Sequence, residues 1–99
     1  MAIRSPKWLV LAALVSATPD TPGVYELWDD DQLMHLGTTR HSLRRELVER
    51  LLEHESGATH FSWEITYEPE VRERELLAEL GDGGEAWPQQ VERSSRENG

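Results

Sequence analysis

The stretch that most constrains this chain is residues 60–68, HFSWEITYE. Phe61, Trp63, Ile65 and Tyr67 alternate with Ser62, Glu64, Thr66 and Glu68 along its whole length. Successive side chains leave a strand on opposite sides, so this alternation predicts a strand with one apolar face, covered by helices. One strand cannot satisfy its own backbone groups, so partners must come from elsewhere in the chain. Residues 22–39, PGVYELWDDDQLMHLGTT, supply them. Val24–Trp28 and Leu33–Leu36 read as two strands, and the polar run Asp29-Asp30-Asp31-Gln32 reads as the turn between them. Gly37 closes the second strand where the backbone must turn or pack closely.

The remaining periodicity is helical. Leu43, Leu47 and Leu51, widened by Val48 and Leu52, form a stripe at three- and four-residue spacing. Ser42 is the candidate N-cap, with Thr38 and Thr39 as alternatives, and Gly57 is a candidate for the left-handed stop near Ser56. Glu46 and Arg50 form a favourable i,i+4 pair. Pro69 suits the first turn of a further helix running to Leu80, with Glu70 at its positive end and Arg74 one turn on. Its apolar contacts are Leu76, Leu77 and Leu80. Lys7–Ser16, KWLVLAALVS, is apolar nearly all round and predicts a buried helix over residues 7–16, with a short buried strand as the alternative. The prolines and Gly23 in ATPDTPG then break the chain.

The expected architecture is α/β (α+β): a small three-stranded antiparallel sheet flanked by helices. Ninety-nine residues predict a single domain over residues 1–80, with its core at 20–80. A chain this short buries a modest core, in which four tryptophans carry much of the contact area. Residues 81–99 lack a period and read as a flexible acidic and polar tail, with Trp87 able to pin part of it back.

Charge and composition narrow the function classes. A net charge of −9 works against non-specific nucleic-acid binding but leaves room for a local basic patch. The richest basic cluster is Arg40, His41, Arg44, Arg45 and Arg50, which reads equally as a solvated helix face. There is no cysteine, so disulfides and thiolate metal sites are excluded, and a cytoplasmic location is expected. Arg4 and Lys7 ahead of the apolar run and Val15-Ser16-Ala17 also have the outline of a secretory signal. The run is too short to span a membrane. His35, His41, His54 and His60 show no metal-ligand spacing, and the Asp29–Asp31 run lacks the distal glutamate of a calcium loop.

Gly23-Val24-Tyr25, His35-Leu36-Gly37, Leu43-Arg44-Arg45-Glu46-Leu47 and Glu73-Arg74-Glu75-Leu76-Leu77 follow one another in a recognisable order. Together they resemble the GIY-YIG nuclease domain, which carries Gly-Ile-Tyr and Tyr-Ile-Gly on neighbouring strands, Leu-x-x-Arg on a helix and Glu-x-x-Leu-Ile on a later helix. The resemblance covers roughly residues 20–80 and implies metal-dependent phosphodiester hydrolysis of DNA, or less readily RNA. It implies that Tyr25 positions or deprotonates the attacking water. Glu73 would hold one Mg²⁺ or Mn²⁺ that polarises the phosphate. An arginine would neutralise charge developing in the transition state. His35 replaces the second tyrosine and could move a proton or bind metal. The arginine position falls on Glu46 when counted from Leu43 and on Arg45 when counted from Gly37. Arg44, Arg50 and Thr39 are the matching candidates for substrate contact. The asparagine that often follows the family's glutamate has no counterpart. The alternative expectation is a degenerate scaffold that has lost the chemistry and serves as a protein or nucleic-acid interaction module.

Overall fold

A computed structural model describes residues 6–54, 56–83 and 92–93. The hairpin forms as β2 (Gly23–Asp29) and β3 (Gln32–Thr39). Asp30 and Asp31 make the turn, with Asp30 at φ 54°, a conformation that aspartate tolerates better than most residues. The turn is fastened from outside: Asp30 N–H donates to Thr59 Oγ1 at 2.6 Å, and Lys7 Nζ donates to the Asp30 carbonyl at 3.1 Å. Lys7 also lies 4.4 Å over the Trp28 ring, a cation–π contact. Leu27 pairs with His35 and Trp28 with Leu33, so Met34 is the extra residue of a β-bulge.

β2 is the centre of the sheet. It pairs antiparallel with β3 on one side and with β4 (His60–Ile65) on the other, giving the expected three-stranded antiparallel core. Two short strands extend it. β1 (Trp8–Leu9) pairs antiparallel with β4, and β5 (Glu92–Arg93) lies parallel to β3. The strand order is β1-β4-β2-β3-β5.

The N-terminal run therefore does not form one buried helix over 7–16. Trp8 and Leu9 pair with the open edge of β4, Val10 N–H donates to the Thr59 carbonyl at 3.0 Å, and α1 (Ala12–Ser16) starts only afterwards. An exposed sheet edge offers this segment hydrogen bonds that its own helix would otherwise supply. Only Val15 of the run is fully buried, while Trp8, Leu9 and Leu11 stay 38%, 53% and 53% exposed.

Helices cover both faces of the sheet. Tyr25, Leu27 and Phe61 pack with Val15 of α1 and with Leu43, Leu47 and Leu51 of the following helix. That helix, α2 (Leu43–Val48), is capped by Ser42 Oγ accepting from Arg45 N–H at 3.1 Å, and it widens into a π-helical turn at Glu49–Glu53. Helical geometry ends three residues before the predicted stop, although Gly57 does take a left-handed φ of 82°. On the other face Val24 and Leu36 pack with Leu76 and Leu77 of α3 (Pro69–Gly83).

The alternation of β4 predicts helix cover on its apolar face, but Ser62 on the polar face is buried too. Ser62 and Glu26 are 2% and 3% exposed, and Ser62 Oγ donates to Glu26 Oε1 at 3.0 Å. Each satisfies the other, which makes their burial tolerable. Burial nonetheless pushes the Glu26 carboxyl above its ordinary range, against the Ser62 hydrogen bond. Glu46 and Arg50 pair as expected at 3.0 Å. Glu70 pairs with Arg40, and Arg72 joins Glu64 and Glu75. α3 runs past Leu80 to Gly83, and Glu92–Arg93 are strand-paired; the rest of the predicted tail, Trp87 included, lies outside the described residues. Among the described residues no helix is long and apolar enough to cross a membrane.

Candidate functional site

The hairpin register fixes the site's base. Tyr25 stands opposite Gly37, and His35 stands opposite Leu27, so both side chains leave the sheet toward α2. Their rings stack with centroids 5.6 Å apart and planes 28° from parallel. Gly37 has no side chain to compete for this space. Tyr25 is fully buried and His35 is 6% exposed.

α2 closes the arrangement with a carboxylate. The Tyr25 hydroxyl donates to Glu46 Oε2 at 2.7 Å, and Arg50 Nε donates to the same oxygen at 3.0 Å. His35 Nε2 lies 3.5 Å from the Tyr25 hydroxyl. Because that hydroxyl gives its proton to Glu46, its oxygen can accept from His35 where Nε2 carries the ring proton. Burial holds the His35 imidazole down to about 4, with the Arg50 charge adding to this and Glu46 opposing it. At neutral pH the ring is therefore uncharged. The result is a polar chain from His35 through Tyr25 and Glu46 to Arg50, spanning sheet and helix.

Of the residues singled out from sequence, Tyr25, His35 and Arg50 come together here. Of Arg45 and Glu46, the two residues left open by the resemblance for its arginine, Glu46 is the one that reaches Tyr25. Leu43 is fully buried, and Glu46, three residues on, lies on the same side of the helix. Arg45 is rotated by about 100° around the helix and is exposed beside Arg44. Arg44 donates its Nε to the Thr18 carbonyl at 3.0 Å. The Thr39 hydroxyl accepts from His41 N–H and Ser42 N–H at 3.1 and 3.3 Å, so it orders the loop into α2. The buried Glu26–Ser62 pair escaped the sequence reading, since nothing in an alternating strand marks which polar residue a later helix will cover.

Glu73 is not with them. It shares the buried stripe of α3 with Pro69 and Leu76, and Leu76 packs on Val24 and Leu36. Val24 and Leu36 alternate with Tyr25 and His35, so the sheet lies between Glu73 and Tyr25. Glu73 is 5% exposed, and its Oε2 is buried without a hydrogen-bond partner. Mg²⁺ is commonly held by one or two carboxylates and completed by waters and substrate phosphates. Glu73, the one carboxylate that the nuclease resemblance assigns to it, stands across the sheet from Tyr25, so a metal held there would not share the face of the tyrosine. An unsatisfied buried acceptor costs about 1–3 kcal/mol. Glu73→Met is accordingly expected to stabilise the fold by about 1 kcal/mol, raising Tm by about 4–8 °C. A fall in Tm on thermal unfolding would show that the carboxylate supports the fold.

The chain matches no protein-family model, no curated protein and no solved structure.

Proposed function

We propose that this chain is a binding module on a GIY-YIG-like scaffold that has lost phosphodiester chemistry, with a protein as its partner in preference to nucleic acid. The observation that carries this reading is the Glu46 carboxylate 2.7 Å from the Tyr25 hydroxyl. Phosphoryl transfer needs positive charge where the phosphate oxygens gather charge. Glu46 brings negative charge to that place. A phenolate at Tyr25 would also put two anions within hydrogen-bonding distance, so the tyrosine is poorly placed to take a proton from water. Arg50 donates to the same Glu46 oxygen that holds the tyrosine hydroxyl, so Glu46 offsets its charge. The Glu73 position on the far face and the net charge of −9 point the same way.

The test is direct. The protein and its Glu73→Met variant are incubated with branched, single-stranded and duplex DNA and with RNA, each with Mg²⁺ or Mn²⁺. Neither is expected to cut above the buffer background. Cleavage by the wild type that disappears in Glu73→Met would replace the binding reading with the nuclease one.

A further inference from the structure

A second polar feature lies outside the Tyr25–Glu46 chain. A groove of about 570 Å³ runs beside α2 and is lined by Asp20, Arg44, Arg45, Val48, Glu49 and Glu53, together with the Ser42 cap. One wall is the connector that follows α1, and it is tied firmly to the helix. Leu43 N–H donates to the Thr21 carbonyl at 2.8 Å, and Arg44 N–H donates to the Pro19 carbonyl at 3.1 Å. Arg44 Nε holds the Thr18 carbonyl as well. The other wall is the helix itself, from its first turn into the π-helical turn.

Its charges are ordered. Two guanidiniums sit at one end and two carboxylates at the other. Arg45, Glu49 and Glu53 follow at four-residue steps on one helical face, and Val48 lies four residues after Arg44. A rise of about 1.5 Å per residue puts Glu49 and Glu53 roughly 6–12 Å beyond Arg45. Asp20 adds a third carboxylate from the connector. Among the described residues no ion pair involves any of these five charged side chains. Elsewhere on the same helix Glu46 and Arg50 do pair.

We propose that this groove binds a ligand carrying a carboxylate and a protonated amine separated by a short apolar spacer, the chemistry of a basic amino acid, free or at a chain's C-terminus. The carboxylate sits on Arg44 and Arg45, where guanidiniums can hold it with paired hydrogen bonds. The spacer crosses Val48. The side-chain ammonium meets Glu49 and Glu53, and Asp20 is placed for an α-ammonium when the amino acid is free. Two positive and three negative groups give the groove a surplus negative charge, which disfavours a polyanion and suits a ligand with an extra amine. The site rests on the binding-module reading; a C-terminal basic residue fits its protein partner, and a free amino acid would replace that partner and keep the module.

The experiment is a titration of the full chain followed by backbone amide NMR shifts. The probes are free L-lysine, Nα-acetyl-L-lysine, L-lysine amide and Nα,Nε-diacetyl-L-lysine. Saturable shifts confined to Asp20, Arg44, Arg45, Val48, Glu49 and Glu53 are expected with L-lysine. Lysine amide, lacking the carboxylate, and the diacetyl compound, lacking the amines, are expected to bind at least about fivefold more weakly, as are the Arg45→Gln and Glu53→Gln variants with L-lysine. Equal binding of Nα-acetyl-L-lysine assigns the ligand to a chain terminus; loss of binding assigns it to the free amino acid through Asp20. Shifts scattered over the surface, or lysine amide and both variants binding like the reference, would overturn the proposal. Nuclease activity would sink the binding-module reading but leave this titration readable, so the two fail separately.

Discussion

Gly23→Ala is expected to destabilise the fold by about 3 kcal/mol, lowering Tm by about 10 °C or more. Gly23 opens β2 and pairs with Thr39 on one side and Ile65 on the other. A Cβ at this position would lie 2.4 Å from the Glu64 carbonyl oxygen and 2.6 Å from Leu43 Cδ1. The first obstacle is backbone of the neighbouring strand and cannot swing away. The second belongs to a fully buried leucine that anchors α2 on the sheet. Close-packed interiors leave neither atom room to retreat. The alanine must therefore separate β2 from β4 or shift α2, and either change disturbs the position of Glu46 over Tyr25. Gly57 is the contrasting case: its φ of 82° explains the glycine, and a Cβ would meet nothing closer than Met34 Cε at 3.8 Å. Chemical denaturation followed by circular dichroism measures the Gly23 effect. A loss below about 1 kcal/mol would mean that the strands move apart far more easily than packing at this density allows.

That glycine also shows what a sequence can and cannot convey. Gly23-Val24-Tyr25 marks a strand start by its residue types, and the two central aspartates mark a turn, because these signals are local. The same holds for the α2 stripe, the Ser42 cap and the β4 alternation. The reason for glycine at position 23 is not local. It depends on Glu64 and Leu43, which arrive from elsewhere in the chain. β1 was hidden for the same reason: Trp8 and Leu9 look helical until the edge of β4 becomes available beside them. The α3 stripe of Leu76 and Leu77 was readable, but the sheet face it covers was not, and that choice decides where Glu73 lies. At the site, Leu43 and Gly37 gave counts that differed by one residue. Only the burial of Leu43 settles the helical rotation and brings Glu46, not Arg45, to the tyrosine.

Acidification should weaken the fold through His35. Burial lowers its folded-state value to about 4 from an ordinary 6.5, with Arg50 assisting and Glu46 opposing. Above pH 6.5 the ring is neutral in both folded and unfolded chains, and the contribution is fully present. As pH falls, the unfolded chain takes up its proton first, so stability drops across the window from 6.5 to about 4. At about 1.4 kcal/mol per pH unit, the whole window amounts to about 3 kcal/mol. Glu26 works in the opposite direction. Its carboxyl is raised above 4.5 by burial, so the folded chain takes that proton first, and stability rises as pH falls through the folded value. The two contributions separate in a comparison with His35→Phe, which keeps an aromatic ring against Tyr25 and removes the titration. Urea unfolding of both proteins between pH 7.5 and 4 should show the wild type losing about 3 kcal/mol more than the variant on acidification, since Glu26 acts equally in each. Curves that stay parallel would mean that His35 is as free to be charged in the folded protein as in water, and that the stacked, buried ring does not describe its surroundings.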